Sequence, residues 1–328
     1  MKIDHALYTL TVERHFVTVQ GHTQRHGALL RFTFDDGSFG YADCHPWQEL
    51  GDLPLADQLQ LLSQGKFTPL TERSLIFATL DEAARIKKKN LFENLIIPQS
   101  HFLIANILAW HLPLIAEAIE QQFTVLKIKL GADLQNELLR LKVLFKWLEK
   151  TDLKVRLDFN LKLTQEKFHS FLNEISSWWH LIDFCEDPFP FNLNSWKEMQ
   201  KAGPTLACDS ESEQAVSHPK AAKVCVIKPA QQSEIPFLQK PSNQRLVITS
   251  YLDHPLGQLC AAYVAAFIQS KSSRKVDICG LMSHRVYQPN AFSEQLCWNN
   301  ANFKVAQGTG LGYDELLAKQ DWKPLYKS

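Results

Sequence analysis

No charge of either sign is in excess in this chain: 35 Lys and Arg stand against 35 Asp and Glu over 328 residues. Neutralising phosphates takes a basic surplus, so the composition speaks against a dedicated nucleic-acid binder. No run of 18 apolar residues occurs, which leaves no readable membrane-spanning helix. The opening MKIDHALYTLTVE puts Asp4 and alternating residues where a secretory signal would carry an apolar stretch, and a cytoplasmic protein is expected. The seven cysteines include no Cys-x-x-Cys pair. Cys185, Cys208, Cys225 and Cys279 lie in short apolar runs, so buried reduced thiols are expected rather than disulfides or a zinc site. Low-complexity tracts and identical repeats are also lacking. Hydrophobic residues at 45% exclude a disordered chain, and the length suits two domains or one large barrel with additions.

The first stretch reads as β-structure. ALLRFTF and SFGYADC alternate on either side of Asp35-Asp36-Gly37, a hairpin signal in which both turn positions want positive φ. CHPWQELGDLPL, from Cys44 to Leu55, reads as a loop. Helices are expected over roughly 56–65 and 70–90, the second N-capped by Thr71 and ending in cations.

From about residue 100 short apolar runs alternate with amphipathic stretches: FLIAN, TVLKIKL, KVRLDF, LIDFCE, TLACD, KVCVIK, RLVITS and KVDICG. Helical stripes fall between several of them, such as Leu134, Leu138, Leu141, Phe145 and Leu148, or Phe168, Leu172, Ile175 and Trp179. Eight strands in this alternation point to a parallel (β/α) barrel.

Five successive strands of that barrel end in a charge: Lys127 and Lys129, Asp158, Glu186, Asp209 and Lys228. The last charges are spaced by 29, 28, 23 and 19 residues, about one strand–helix unit each. Barrel active sites are built at the C-terminal strand ends, so these groups would meet at one mouth. One such acid alone reads as an exposed loop residue; three on consecutive strands read as a site. They repel each other and call for a hard divalent cation, Mg²⁺ by preference. Cys185 and Cys208 precede two of the acids and should face away from them, which disfavours zinc. Lys127 and Lys129 share one strand face, so each lowers the other's pKa; Lys127 can also be read as an ion-pair partner of Asp158. A metal between two amines suits removal of a proton α to a carboxylate.

At these residues the chain resembles the enolase superfamily, in its muconate-cycloisomerase-like subgroup. The resemblance rests on KIK (Lys127 to Lys129), LDFN (Leu157 to Asn160), EDP (Glu186 to Pro188), ACDSE (Ala207 to Glu211) and VIKPA (Val226 to Ala230), in this order. It implies an α/β fold: a modified (β/α)8 TIM-type barrel over 100–289, with an α+β capping domain built from 1–99 and the returning tail 290–328. It further implies Asp158, Glu186 and Asp209 as ligands of Mg²⁺, which Mn²⁺ can replace. Lys129 and Lys228 would be the acid/base pair, with Lys127, Asn160 and Glu211 in support. The cap loop His45-Pro46-Trp47 would close over the substrate, and Thr249 and Ser250 would lie near it. The short length and the Asp-x-Asn pattern at Asp158 and Asn160 are most similar to the menaquinone-pathway dehydratases of this subgroup. N-succinylamino acid racemases and dipeptide epimerases share the lysine pair, and a non-catalytic Mg²⁺- and carboxylate-binding barrel is the alternative of another class. The sequence departs from the subgroup in Asp209-Ser210-Glu211, which inverts the usual Asp-Glu-Ser, and in Thr249-Ser250-Tyr251. A small carboxylate substrate is expected, with no nucleic acid, no membrane and a monomeric chain.

Overall fold

The computed structural model describes residues 1–13, 23–239, 243–296 and 298–325. Three long antiparallel strands open the chain: β1 (Lys2–Thr11), β2 (Gln24–Thr33) and β3 (Phe39–Cys44). β1 and β2 pair with Ala6 opposite Leu29, and β2 and β3 with Leu30 opposite Ala42. The hairpin forms where expected, but only Gly37 takes positive φ (85°). The loop is closed by Phe34 and Ser38, so it is longer than a two-residue turn and leaves Asp36 in ordinary conformation.

Helices α1 (Leu55–Ser63) and α2 (Pro69–Ile86) follow. The N-cap of α2 is Thr68, not Thr71. Pro69 fits the first helical turn, where no N–H is needed, and Thr71 serves as the third residue of a capping box whose two hydroxyls satisfy each other's backbone N–H. α2 lies so close on β3 that a Cβ on Gly40 would fall 1.8 Å from the Ala78 carbonyl oxygen.

The second sheet is parallel. Its strands are β4 (Phe102–Ile104), β5 (Val125–Lys129), β6 (Lys154–Asp158), β7 (Ile182–Glu186), β8 (Leu206–Cys208), β9 (Val224–Ile227) and β10 (Arg245–Ile248), paired in that order. Helices α3 (Leu112–Glu120), α4 (Leu134–Leu148), α5 (Gln165–Glu174), α6 (Leu193–Ala202), α7 (Ser212–Ala215), α8 (Ile235–Gln239) and α9 (Pro255–Lys271) cross between strands or follow the last one. KVDICG, expected as an eighth strand, is not a continuous one. It makes isolated parallel bridges, Val276 to Leu246 and Gly280 to Thr249 on one side and Cys279 to Ser100 on the other, and these close the barrel. Regular pairing is interrupted at Ile278, whose N–H is taken by the Asp277 side chain, while the missing Cβ of Gly280 admits the close approach of His101 and Thr249 at its bridge.

Alternation sorts the barrel strands. Phe184, Ala207, Val224, Val226 and Val247 form an interior cluster, while Cys185, Cys208 and Cys225 pack outward against the helices. The six described cysteines are free and buried, and Cys297 lies outside the described residues. Below the interior cluster sits fully buried Arg156, stacked 4.5 Å from the Phe184 ring. It pairs with Asp183 at 2.8 Å and donates to the Ile278 carbonyl at 2.7 Å. Arg245 also reaches Asp183 and Asp277, so charges plug the barrel end opposite the mouth.

The tail carries a short ladder, β11 (Trp298–Asn299) with β12 (Asn302–Phe303), then α10 (Asp314–Ala318) and β13 (Lys323–Pro324). It returns to the cap: β13 pairs with β1, and Arg85 joins buried Asp81 on its own helix to Asp314. No described helix is long and apolar enough to cross a membrane.

Candidate active site

Register gathers the charged strand ends. Lys129 lies opposite Asp158, and Asp158 opposite Glu186, so one row of inward side chains crosses three neighbouring strands. Glu186 pairs with Ala207, which places Asp209 at the next inward position, just past the end of β8. Lys228 directly follows β9. Lys127, two residues before Lys129, shares its face and drops between the first two acids. Its Nζ lies 2.7 Å from Glu186 Oε1 and 3.1 Å from Asp158 Oδ2. Lys228 pairs with Asp209.

These pairings drive the two outer lysines in opposite directions. Burial pulls Lys129 below the usual lysine value; Asp158 opposes this, and the ammonium groups of Lys127 and Lys228 add to it. At Lys228 burial also works against the charge, but Asp209 outweighs it and the net shift is upward. Lys127 is raised too, since Asp158, Glu186 and Asp209 together overcome its burial. Among the acids, burial pushes Glu186 up to about 8, with Asp158 and Asp209 adding to the effect and Lys127 opposing it. Asp158 ends lowered, because Lys127 and Lys129 outweigh its burial.

The supporting residues divide. Asn160 sits at φ 47°, a left-handed conformation that asparagine tolerates, and donates both its backbone N–H (3.1 Å) and Nδ2 (2.9 Å) to Asp158 Oδ1. Glu211 instead accepts the Phe191 N–H at 2.7 Å and holds the loop after β7. Asp187 was not singled out by sequence reasoning. It accepts the backbone N–H groups of Asp209 and Ser210, each at 2.9 Å, and so fixes how Asp209 leaves its strand. Its only signal in the sequence is an acid wedged between Glu186 and Pro188.

The cap loop reaches the barrel. His45 is buried with Nδ1 3.0 Å from the Tyr8 hydroxyl, Pro46 is buried beside it, and Trp47 lies against Tyr251 edge-on. Asp52 accepts the Trp47 N–H at 2.8 Å and the Tyr251 hydroxyl at 3.0 Å, which ties the loop to the segment after β10. Within that segment Thr249 is buried with its hydroxyl unpartnered, and Ser250 donates to the Gly280 carbonyl at 3.2 Å.

Among the described residues no three His, Cys, Asp or Glu side chains are gathered tightly enough to hold a metal as they stand, because ammonium groups are interleaved with the acids. The donor set nevertheless fits a hard divalent cation: three carboxylates at consecutive strand ends offer the oxygen ligands such an ion takes.

Comparison with known proteins places the chain. The family model described as O-succinylbenzoate synthase, N-terminal domain, matches residues 3–84. An o-succinylbenzoate synthase of Bdellovibrio bacteriovorus is 32% identical over 333 residues, covering 99% of both chains. Among solved structures, a dipeptide epimerase from Enterococcus faecalis complexed with Mg and a dipeptide matches with a TM-score of 0.77 at 16% identity, over 95% of this chain and 98% of that one. The muconate lactonizing enzyme of Pseudomonas putida matches with a TM-score of 0.74 at 16% identity, over 97% and 98%. These two show the fold, a barrel with its cap, while full-length identity decides the family: the chain belongs to the o-succinylbenzoate synthases.

Proposed function

We propose that the mouth residues catalyse loss of water from 2-succinyl-6-hydroxy-2,4-cyclohexadiene-1-carboxylate to give o-succinylbenzoate, with one lysine as the only base. The observation that carries this reading is the opposed setting of the two outer lysines. Lys228 is ion-paired with Asp209, whereas Lys129 lies opposite Asp158 with Lys127 on its own strand face, and burial lowers its pKa. A racemase or epimerase needs an exchangeable amine on each face of the stereocentre. A dehydration from one face needs a single amine acting twice.

Neutral Lys129 takes the proton α to the carboxylate. The C–O bond to the β-hydroxyl then breaks, and the same proton goes from the Lys129 ammonium to the departing oxygen, so that water leaves and the ring becomes aromatic. Lys228 faces the negative charge that develops on the substrate and needs no reorganisation to meet it. Lys127 keeps Asp158 and Glu186 apart and in register. Asp158, Glu186 and Asp209 would hold a divalent cation, Mg²⁺ or Mn²⁺, whose chemistry when bound is to polarise the substrate carboxylate. The loop His45-Pro46-Trp47, fastened through Asp52, covers the mouth against water.

The test is turnover by purified protein with the cyclohexadiene substrate and, separately, with an N-succinylamino acid. Dehydration with little or no racemisation supports the reading. Racemisation at comparable rates contradicts the single-base assignment.

A further inference from the structure

Two carboxylates lie side by side where the cap meets the barrel, outside the catalytic mouth. Asp43 belongs to β3 of the cap, and Asp253 to the loop between β10 and α9. Asp253 is buried at 2% exposure, and Asp43 is partly buried. A Cβ placed on Gly257 would fall 2.5 Å from Asp43 Oδ2 and 2.6 Å from Asp253 Oδ2, so the two oxygens are within about 5 Å of each other. Two carboxylates this close and out of bulk water do not both keep their charge.

The hydrogen bonds decide which one is ionised. Asp43 accepts from the Tyr8 hydroxyl at 2.6 Å and from the His254 backbone N–H at 3.1 Å. Asp253 Oδ1 is buried with no partner. Since the Tyr8 proton is spent on Asp43, His45 Nδ1 donates to the Tyr8 oxygen; His45 Nε2 is then a bare lone pair, buried and unpartnered. Both acids and His45 line a cavity of about 10 Å³, the room of one water.

Among the described residues no cation is paired with Asp43 or Asp253. Arg73 of α2 also lines the cavity, but it is committed to the Pro229 carbonyl at 2.7 Å and to Glu234 at 2.9 Å. Burial pulls His45 and His254 down to about 3, so both are neutral. Burial raises the thiols of Cys44 on β3 and Cys260 on α9, and likewise the phenols of Tyr8, Tyr251 and Tyr287. Of the other charges acting on these groups, Asp52 and Asp81 are negative, and Arg25, which acts on His45 and Tyr287, is paired with Glu49 at 2.8 Å and stacked on Trp47. Burial pushes Asp43 up to about 7 and puts Asp253 well above the carboxylate range, with Asp43 adding to the latter.

We propose that Asp43 and Asp253 share a single proton, carried by Asp253, and that this pair clasps the cap loop His45-Pro46-Trp47 to the loop after β10. Asp43 stands two residues before His45, and Asp52 ties the far end of the same loop to Tyr251 of the same barrel segment. The cap loop is thus fastened to one barrel loop at both ends. Asp43 and Asp253 are positioning residues, and the clasp does not depend on which substrate the mouth takes.

The sign of the pH dependence follows. The unfolded chain releases both protons near pH 3.9, while the folded pair keeps one to much higher pH. Stability due to this proton is therefore complete below about pH 4 and declines as pH rises through the pair's folded value. Asp253→Asn keeps the shape, offers an N–H to Asp43 and has no proton to lose. Its melting temperature should fall less than that of the wild type between pH 4 and pH 8, by the slope of one proton. Independently, infrared difference spectra of protein labelled at the aspartate carboxyls should show the carbonyl stretch of a neutral buried acid at pH 7 in the wild type, lost in Asp253→Asn. Where that variant does not fold, Asp43→Asn serves, since removing the neighbouring charge should move the band's titration to lower pH. Absence of the band in the wild type, its persistence in Asp253→Asn, an unmoved titration in Asp43→Asn, or equal melting slopes would each overturn the proposal.

Discussion

Replacing Lys228 in two ways separates a fixed cation from a second base. Lys228→Ala removes a preorganised charge aimed at the developing negative charge, a loss of about 10²–10³ in kcat on the scale of a lost oxyanion donor. Lys228→Arg keeps the charge beside Asp209 but cannot take a proton, because guanidinium does not deprotonate in proteins. The larger planar group costs some geometry, so a loss of roughly tenfold is expected, about 1.4 kcal/mol. The arginine variant should thus be about 10–100 times faster than the alanine variant. Alanine also leaves Asp209, 6% exposed, without its partner, and breaking a buried pair costs about 3–5 kcal/mol of stability. Rates are therefore compared only for protein whose near-ultraviolet circular dichroism matches the wild type, following formation of the aromatic product by absorbance. Equal and complete loss in both variants would refute the fixed-cation role.

Four further outcomes are expected. EDTA should abolish turnover, Mg²⁺ or Mn²⁺ should restore it, and Glu186→Gln should lower kcat by orders of magnitude with the fold retained; full activity in EDTA would contradict the role given to the acids. Asp209→Asn should weaken Mg²⁺ binding measured by calorimetry far more than Glu211→Gln does, because Glu211 is engaged by the Phe191 N–H. The pH–rate profile should rise with pH as Lys129 deprotonates and level off below the ordinary lysine value, since burial lowers this amine; a limb at or above that value would count against Lys129 as the base. Arg156→Met should destabilise the barrel by about 3–5 kcal/mol in urea unfolding, because Asp183 and Asp277 lose a fully buried partner; an unchanged midpoint would show that Arg245 alone neutralises them.

Periodicity made much of this legible. Strands repeat every 19–29 residues and end in charges, and period-two alternation inside a barrel decides that Glu186 faces in while Cys185 faces out. What stayed hidden are contacts between residues far apart in the chain. The position of Lys127 between Asp158 and Glu186 depends on the register of three strands. Asp187 and Glu211 look alike in the sequence as acids near strand ends, yet each holds the other's loop by accepting backbone N–H groups, a matter of side-chain direction alone. The eighth strand has a strand-like composition, but the Asp277 side chain takes the next backbone N–H and interrupts its ladder. By residue type Thr68 and Thr71 are equally suited to cap α2, and the capping box uses both. The buried Arg156–Asp183–Asp277 plug lies in strands that read as apolar, since each charge is flanked by hydrophobic residues.

The central claim is that Lys129 is both the base and the acid of the dehydration. Its most direct test is the turnover of the cyclohexadiene substrate by folded Lys129→Ala with Mg²⁺ present. General acid–base catalysis contributes about 10²–10⁴ for each proton transfer, and this variant loses both, so kcat should fall by about 10⁴ or more. Turnover within about tenfold of the wild type, a difference of only some 1.4 kcal/mol in barrier, would contradict the account.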